Sequence, residues 1–389
     1  MYRDHSIGVV IPAYNEEGFV GDVIREMPDY VDRMYLIDDC STDGTWEEIH
    51  EAAREDASAV ELEYTGGLDG ADGEAEGDDA GEREVAVDGG SAPRDGEAGD
   101  SRVPPDPVPD GGESLLAQRA IVEPSIGRVV PIQHRENLGA GGAIKTGYLA
   151  ALEDAVDIVP TVDGDGQMDL SQLPKLLDPI VEDEADYAKG NRLLYREYRA
   201  DMPPFRFFGN SILTFLTKIA SGYWKTMDPQ NGYTAISHYA LANVGLENMY
   251  EYYGYCNDLL VKLNAKGMRV ADVAMPAVYG DEESSIDYTT YIRKVSWMLL
   301  KNFFWRLKVK YLVLDFHPLA LFYLFGAATA ALGMAGGAWS LYAKFVIGDS
   351  LFVRASASLL LFSVGSMFVM FAMLFDMQAN ENKEVQVRE

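Results

Sequence analysis

The chain has 389 residues with 62 acidic and 32 basic side chains, a formal net charge of −30, and 48% hydrophobic and 11% aromatic content. That charge excludes a general nucleic-acid binder, which needs a basic face, and the apolar content excludes a wholly disordered acidic protein. Only two cysteines occur, Cys40 and Cys256. They exclude a disulfide scaffold or cysteine-based zinc site and fit a reducing compartment.

In chain order, no signal peptide is read, because the apolar run at 7–13 is too short for one. Residues 7–12 predict a strand, 17–27 a helix, 34–37 a strand and 45–57 a helix with Asp43 as N-cap. Residues 66–113 then hold 15 acidic against 3 basic residues, many glycines and almost nothing to bury, so this segment is expected to be disordered. It accounts for −12 of the charge and leaves −18 elsewhere, a global acidity suited to a salt-rich cell interior. A strand at 128–133, a helix at 140–152 and a strand at 158–162 follow. The alternation predicts an α/β fold with a largely parallel sheet, whose ligands bind outside the carboxyl ends of the strands. The acidic insertion, about 60–120, falls between the second helix and third strand and is expected at the opposite edge, away from catalysis.

Beyond this domain (1–285), apolar Tyr288, Tyr291, Ile292, Val295, Met298, Leu299, Phe303 and Leu307 recur at helical spacing, which predicts an amphipathic helix (286–316) lying in a membrane interface. Arg293, Lys294, Lys301, Arg306, Lys308 and Lys310 form a basic belt suited to anionic lipid phosphates. Residues 319–340 and 355–375 carry no formal charge and are each long enough to cross a bilayer, predicting a transmembrane hairpin over 317–377 before a polar tail at 378–389. Glycines in the first span permit close packing against another membrane helix. The excess of basic residues before the hairpin places the large domain and both termini on the cytoplasmic side.

Each predicted strand ends in polar residues: Pro12-Ala13-Tyr14-Asn15-Glu16, then Asp38-Asp39-Cys40-Ser41, then Asp163-Gly164-Asp165-Gly166-Gln167. Asp163 and Asp165, with Gln167 as a neutral donor, can surround one hard divalent cation while leaving positions for phosphate oxygens. The alternative is a polar surface turn. Gly139 to Thr146 nearly spells a phosphate-binding loop but fails at Ile144, so Lys145 is expected to be a solvated helix lysine. The five histidines show no zinc-ligand spacing.

With PAYNE, DDCSTDGT, NLGAGGAIKTG and DGDGQ in that order, the sequence resembles family 2 glycosyltransferases of the GT-A fold, and more narrowly the polyprenyl-phosphate sugar synthases such as dolichyl-phosphate mannose synthases. The resemblance covers 7 to about 275 outside the insertion. It implies that Pro12, Tyr14 and Glu16 line a nucleotide pocket, and that Asp39, or Asp38 in its place, contacts the base. Asp163 and Asp165 match the family's metal-binding aspartates, with Asp163 also beside the nucleotide, and Gln167 matches a metal-supporting glutamine. Arg192 and Arg206 fall where the family meets phosphate; the alternative is pairing with carboxylates. Asp228, in DPQNGY, falls in a loop near the acceptor and is either an orienting group, a base or part of a turn. Cys40 replaces the glycine usual at its position.

The resemblance therefore implies Mg2+ or Mn2+, a UDP- or GDP-sugar donor, a polyprenyl or dolichyl phosphate acceptor, and inverting hexosyl transfer at the membrane. It also implies a homo-oligomer, tetrameric in some relatives. Competing readings are a transferase acting on a glycan or glycolipid headgroup, and a membrane-bound sugar-nucleotide sensor without activity.

Overall fold

The computed structural model describes residues 1–66, 114–195, 204–276, 288–314, 316–348, 350 and 352–387. The acidic stretch at 67–113, expected to be disordered, lies outside them.

The described chain builds one nine-stranded sheet in the order β3-β4-β2-β1-β5-β7-β6-β8-β9. Its first half follows the sequence pattern: β1 (Gly8–Ala13), α1 (Val20–Arg25), β2 (Arg33–Asp38), α2 (Thr45–Gly66), then β4 (Val129–His134), α4 (Ala140–Glu153) and β5 (Ile158–Thr161). β1 lies parallel to β2 and β5 at the sheet centre, and β2 parallel to β4. Central parallel strands are covered on both faces, which is why β1 is apolar throughout. Val10 packs on one side with Tyr148 of α4, and Val9 and Ile11 on the other with Val23 of α1 and Ile49 of α2.

The remaining elements are α5 (Leu173–Val181), β6 (Tyr187–Asn191), α6 (Pro204–Ser221), β7 (Thr234–Ser237), α7 (His238–Asn243), α8 (Tyr255–Ala265) and β8 (Val270–Ala274). β7 runs antiparallel between β5 and β6, so the sheet is mixed.

Four expectations change. Helix α1 starts at Val20, later than expected, because Gly18 has φ +91° and cannot continue a right-handed helix. Two short elements not seen in the sequence, α3 (Leu115–Arg119) and β3 (Ala120–Val122), precede β4. Because β3 is antiparallel to β4, with Ala120 opposite His134, the chain re-enters at the carboxyl edge of the sheet. Residues 114–119, at the described end of the insertion, therefore lie at the carboxyl edge of the sheet and not, as expected, at the far edge.

The third change concerns α9 (Tyr288–Lys308). The apolar stripe assigned to a membrane packs on the domain instead: Val295, Met298 and Leu299 join Leu213 of α6 and Val261 of α8 in one buried cluster. Among the described side chains of this helix, Trp297, Leu300, Phe304 and Trp305 are the large apolar ones left exposed. The six-cation belt also divides. Arg293, Lys294, Lys301 and Lys308 are exposed, whereas Arg306 and Lys310 are buried. A helix with two apolar stripes has one period, and the period does not say which stripe meets the protein.

A π-helical turn (Val309–Leu314) leads into α10 (Leu319–Tyr342), and α11 (Phe352–Asn380) returns antiparallel to it. With their extensions, these are two helices of 29 and 32 residues, long and apolar enough to cross a membrane. They press their small residues against each other: a side chain at Gly326 would lie 2.9 Å from the Gly365 carbonyl.

The fourth change is at the end. The polar tail forms β9 (Glu384–Val387), parallel to β8, so the chain leaves the hairpin and completes the domain's own sheet.

Candidate active site

The loops after β1, β2 and β5 are stitched into one surface. Asn15 N–H donates to Ser41 Oγ (3.0 Å), Thr42 N–H to Asn15 Oδ1 (2.8 Å) and Glu16 N–H to Thr45 Oγ1 (2.8 Å). Gly164 N–H donates to the Pro12 carbonyl (3.2 Å) and Asp39 N–H to that of Ala13 (3.0 Å). Cys40 has φ +62°, a left-handed conformation that favours glycine, which explains why glycine suits this position.

Asp38 and Asp39 differ. Both are buried, but Asp39 Oδ1 meets His134 Nδ1 (2.6 Å) and accepts from Leu138 N–H (2.7 Å), and Asp39 Oδ2 accepts from Gly139 N–H (2.8 Å). It thereby holds the chain entering α4, placing its negative charge at that helix's amino end. Asp38 accepts from Ser41 N–H (3.1 Å) and Gln133 Nε2 (3.3 Å), a looser set. Tyr14 stands exposed beside them.

Next to these loops opens a pocket of about 160 Å³ whose lining includes Asp163, Asp165, Gln167, Arg192 and Gln230. Burial, and then the neighbouring charge of Asp165, push the Asp163 carboxyl up to about 7 against the pull of Arg192. Asp165 Oδ1 accepts the Gln167 N–H (3.0 Å), which closes the turn over Gly166 and sets both side chains on the pocket wall. Asp228 lies behind Arg192 and is fully buried. Arg192 clamps it through Nε (2.7 Å), Nη2 (3.0 Å) and its backbone N–H (3.1 Å). Burial raises the Asp228 pKa, but the Arg192 guanidinium more than offsets this and holds it below the usual carboxylate range.

The structure thus brings Asp163, Asp165, Gln167 and Arg192 to one pocket. Pro12, Tyr14, Glu16, Asp38 and Asp39 lie on the adjoining strand ends, outside its lining. Arg206 falls on α6, and its side chain lies outside the described residues. Lys145 is not solvated: it is buried, donating to Glu251 Oε1 (2.9 Å) and the Glu247 carbonyl (2.8 Å). Sequence reasoning quoted DPQNGY without assigning its glutamine. Among the described residues, neither amide atom of Gln230, buried in the pocket wall, has a hydrogen-bond partner. An unsatisfied amide at a ligand pocket is poised to bond what enters it.

The model of the family "Glycosyl transferase family 2" matches residues 8–71 and 106–245, more than half of the chain. The chain belongs to that family, and its described residues form an α/β fold on a mixed sheet. It is 32% identical over 152 residues to the UDP-N-acetylglucosamine–dolichyl-phosphate N-acetylglucosaminyltransferase of Methanococcus voltae, covering 39% of this chain and 60% of that one. An uncharacterized protein of Methanocaldococcus jannaschii is 28% identical over 157 residues, 40% of this chain and 64% of that one. The chain thus matches under two thirds of the length of each relative. Among solved structures, glucosyl-3-phosphoglycerate synthase from Mycobacterium tuberculosis aligns over 78% of this chain and 80% of its own, at 18% identity and a TM-score of 0.42. A mycobacterial protein aligns over 77% and 75%, at 18% identity and 0.45.

Proposed function

We propose that this glycosyltransferase transfers a hexose from a nucleoside-diphosphate sugar to a polyprenyl phosphate of the dolichyl type, with inversion, at the cytoplasmic face of a membrane. The observation that carries the reading is the carboxylate pair Asp163 and Asp165 lining one pocket with Arg192, where burial and the Asp165 charge raise Asp163 against the pull of that arginine. The two apolar helices and the dolichyl-phosphate substrate of the Methanococcus relative support a lipid acceptor.

The donor set fits a hard divalent cation, Mg2+ or Mn2+: Asp163, Asp165 and Gln167 offer oxygens only, and the raised Asp163 pKa is the electrostatic tension that a cation relieves. Such an ion neutralises negative charge on a departing nucleoside diphosphate. Asp163 and Asp165 would hold it, while Pro12, Tyr14, Glu16, Asp38 and Asp39 bind the nucleoside on the adjoining strand ends. Arg192 stabilises phosphate charge in the pocket, and Arg206 is assigned the same task by position. An oxygen of the acceptor phosphate attacks the anomeric carbon as the carbon–oxygen bond to the diphosphate breaks and its electron pair leaves with the diphosphate. The acceptor is already an anion near neutral pH, so no strong base is required, and positioning supplies much of the acceleration. Asp228 then serves to fix Arg192 and not to take a proton, because its carboxylate is buried and doubly bonded by that arginine. Gln230 offers a donor and an acceptor together, which matches a sugar hydroxyl.

In the membrane, Trp297, Leu300, Phe304 and Trp305 form the interfacial face, with Lys301 lying over the Trp297 ring at 5.4 Å. Membranes containing the full chain, supplied with labelled UDP- or GDP-sugars and polyprenyl phosphate, test the reading. A lipid-linked sugar monophosphate supports it. Product only on a glycan or glycolipid headgroup rejects it in favour of that acceptor class, and donor binding without any transfer favours a sensor.

A further inference from the structure

The segment between α6 and Asp228 is held from four sides. At its start, Gly222 has φ +78° and a side chain there would collide with Arg306, so the turn sits directly on that buried cation. Arg306 is in turn paired with Asp376 of α11 (2.7 and 3.0 Å), and Asn380, one turn on, meets Lys310 Nζ (2.6 Å) and Asn264 Nδ2 (3.0 Å). This network fixes where α11 ends and β9 begins. β9 then pairs in register with β8, Glu384 opposite Val270.

That register delivers Glu384 to the middle of the segment. Its Oε1 accepts the Trp224 N–H (2.8 Å), and its Oε2 accepts the N–H groups of Lys225 (2.6 Å) and Thr226 (2.8 Å) and the Thr226 hydroxyl (3.2 Å). Three consecutive backbone donors converge on one carboxylate, an arrangement that stores its charge locally and freezes the segment's path. At the next residue, Met227 N–H donates to Asp272 Oδ2 (3.3 Å), and the Met227 carbonyl accepts from Lys189 Nζ. Asp228 follows, at φ +49°, with both oxygens on Arg192.

We propose that Glu384 is a positioning residue for Arg192: through the Trp224–Thr226 amides it sets the place of Asp228, and so couples the end of the second apolar helix to the active-site pocket. The inference rests on the reading of Arg192 as a phosphate-binding group. A glutamate in a polar tail is otherwise an unremarkable residue, and nothing local in the sequence marks it.

The test uses the full-length protein in lipid nanodiscs with E384A, E384Q, R192A and the double variant E384A/R192A. Two measurements are made: the rate of sugar transfer, and amide hydrogen exchange over 224–228. The expected result is an approximately 10-fold lower kcat for E384A with little change in donor KM, partial rescue in E384Q, and faster exchange over 224–228. The double variant should be no slower than R192A alone, since both changes remove the same interaction. Unchanged exchange over 224–228, or losses that multiply in the double variant, would overturn the proposal. A wild-type protein that transfers no sugar to any polyprenyl phosphate sinks the substrate reading alone. The proposal is then decided by the exchange arm, together with protection of residue 192 from arginine-specific modification, which E384A should reduce.

Discussion

Two acidic sites in this molecule are built from the same side chains and have opposite chemistry. At the junction of α9 and α11, Asp376 is fully buried and answered by Arg306, the Tyr311 hydroxyl (2.7 Å) and Asn380 Nδ2 (3.0 Å). In the pocket, Asp163 and Asp165 stand together, and burial with the neighbouring Asp165 charge pushes the first up to about 7 against the pull of Arg192. The junction satisfies its carboxylate with internal partners. The pocket leaves charge unbalanced where a ligand can reach it. Electrostatic incompleteness at an accessible site, more than acidity itself, separates the carboxylates proposed as functional from the structural one in so acidic a chain.

If that contrast is right, the largest effect should come from the pocket. Asp165→Asn is expected to lower metal-dependent transfer by about 1,000-fold or more while the protein still inserts into membranes, measured by labelled transfer and by membrane fractionation. Retained activity would remove the metal assignment. At the junction, Arg306→Ala should cost about 3–5 kcal/mol by stranding a buried carboxylate, and Arg306→Met with Asp376→Leu should recover much of it. Thermal unfolding in detergent reads both, and an additive double variant would show that the pair is not the relevant unit.

The contrast also has a pH signature. A carboxyl whose folded pKa is raised favours folding while protonated, so its contribution is lost as pH rises through about 7. The metal-free protein should therefore lose stability from pH 6 to pH 8, and a divalent cation should abolish that loss. Metal affinity should rise over the same interval, with proton release on binding below pH 7. Gln230→Ala should lower transfer by about 10-fold and blur discrimination between epimeric donor sugars, because it removes only one neutral contact set. Smallest of all, Lys301→Gln should reduce by about 5-fold the stimulation of transfer by anionic lipid, at roughly 1 kcal/mol for one charge near such a surface. Reversal of Arg306 or Lys310 would not report on lipid, since both are inside the protein.

Much of the first half of the sheet was legible, because parallel strands buried on both faces show as apolar runs followed by helices. β3 was not: three residues after a long acidic stretch carry no period, and only pairing with β4 makes them a strand. The acidic pocket was legible at Asp163, Asp165 and Gln167 because they are close in sequence. The partnership of Arg192 with Asp228 spans 36 residues, and no local spacing reveals it. For Cys40, the departure from glycine was visible in the sequence, but its left-handed backbone was not.

The sequence by itself determined the α/β alternation, the aspartates at a strand end, and the two long apolar helices, since each is written in residues near one another. Tertiary structure alone decided which stripe of α9 is covered, which cations are spent on the protein, and that the last residues rejoin the sheet. Those outcomes depend on what lies opposite a side chain after folding, and Glu384 meets amides about 160 residues away only because β9 pairs with β8.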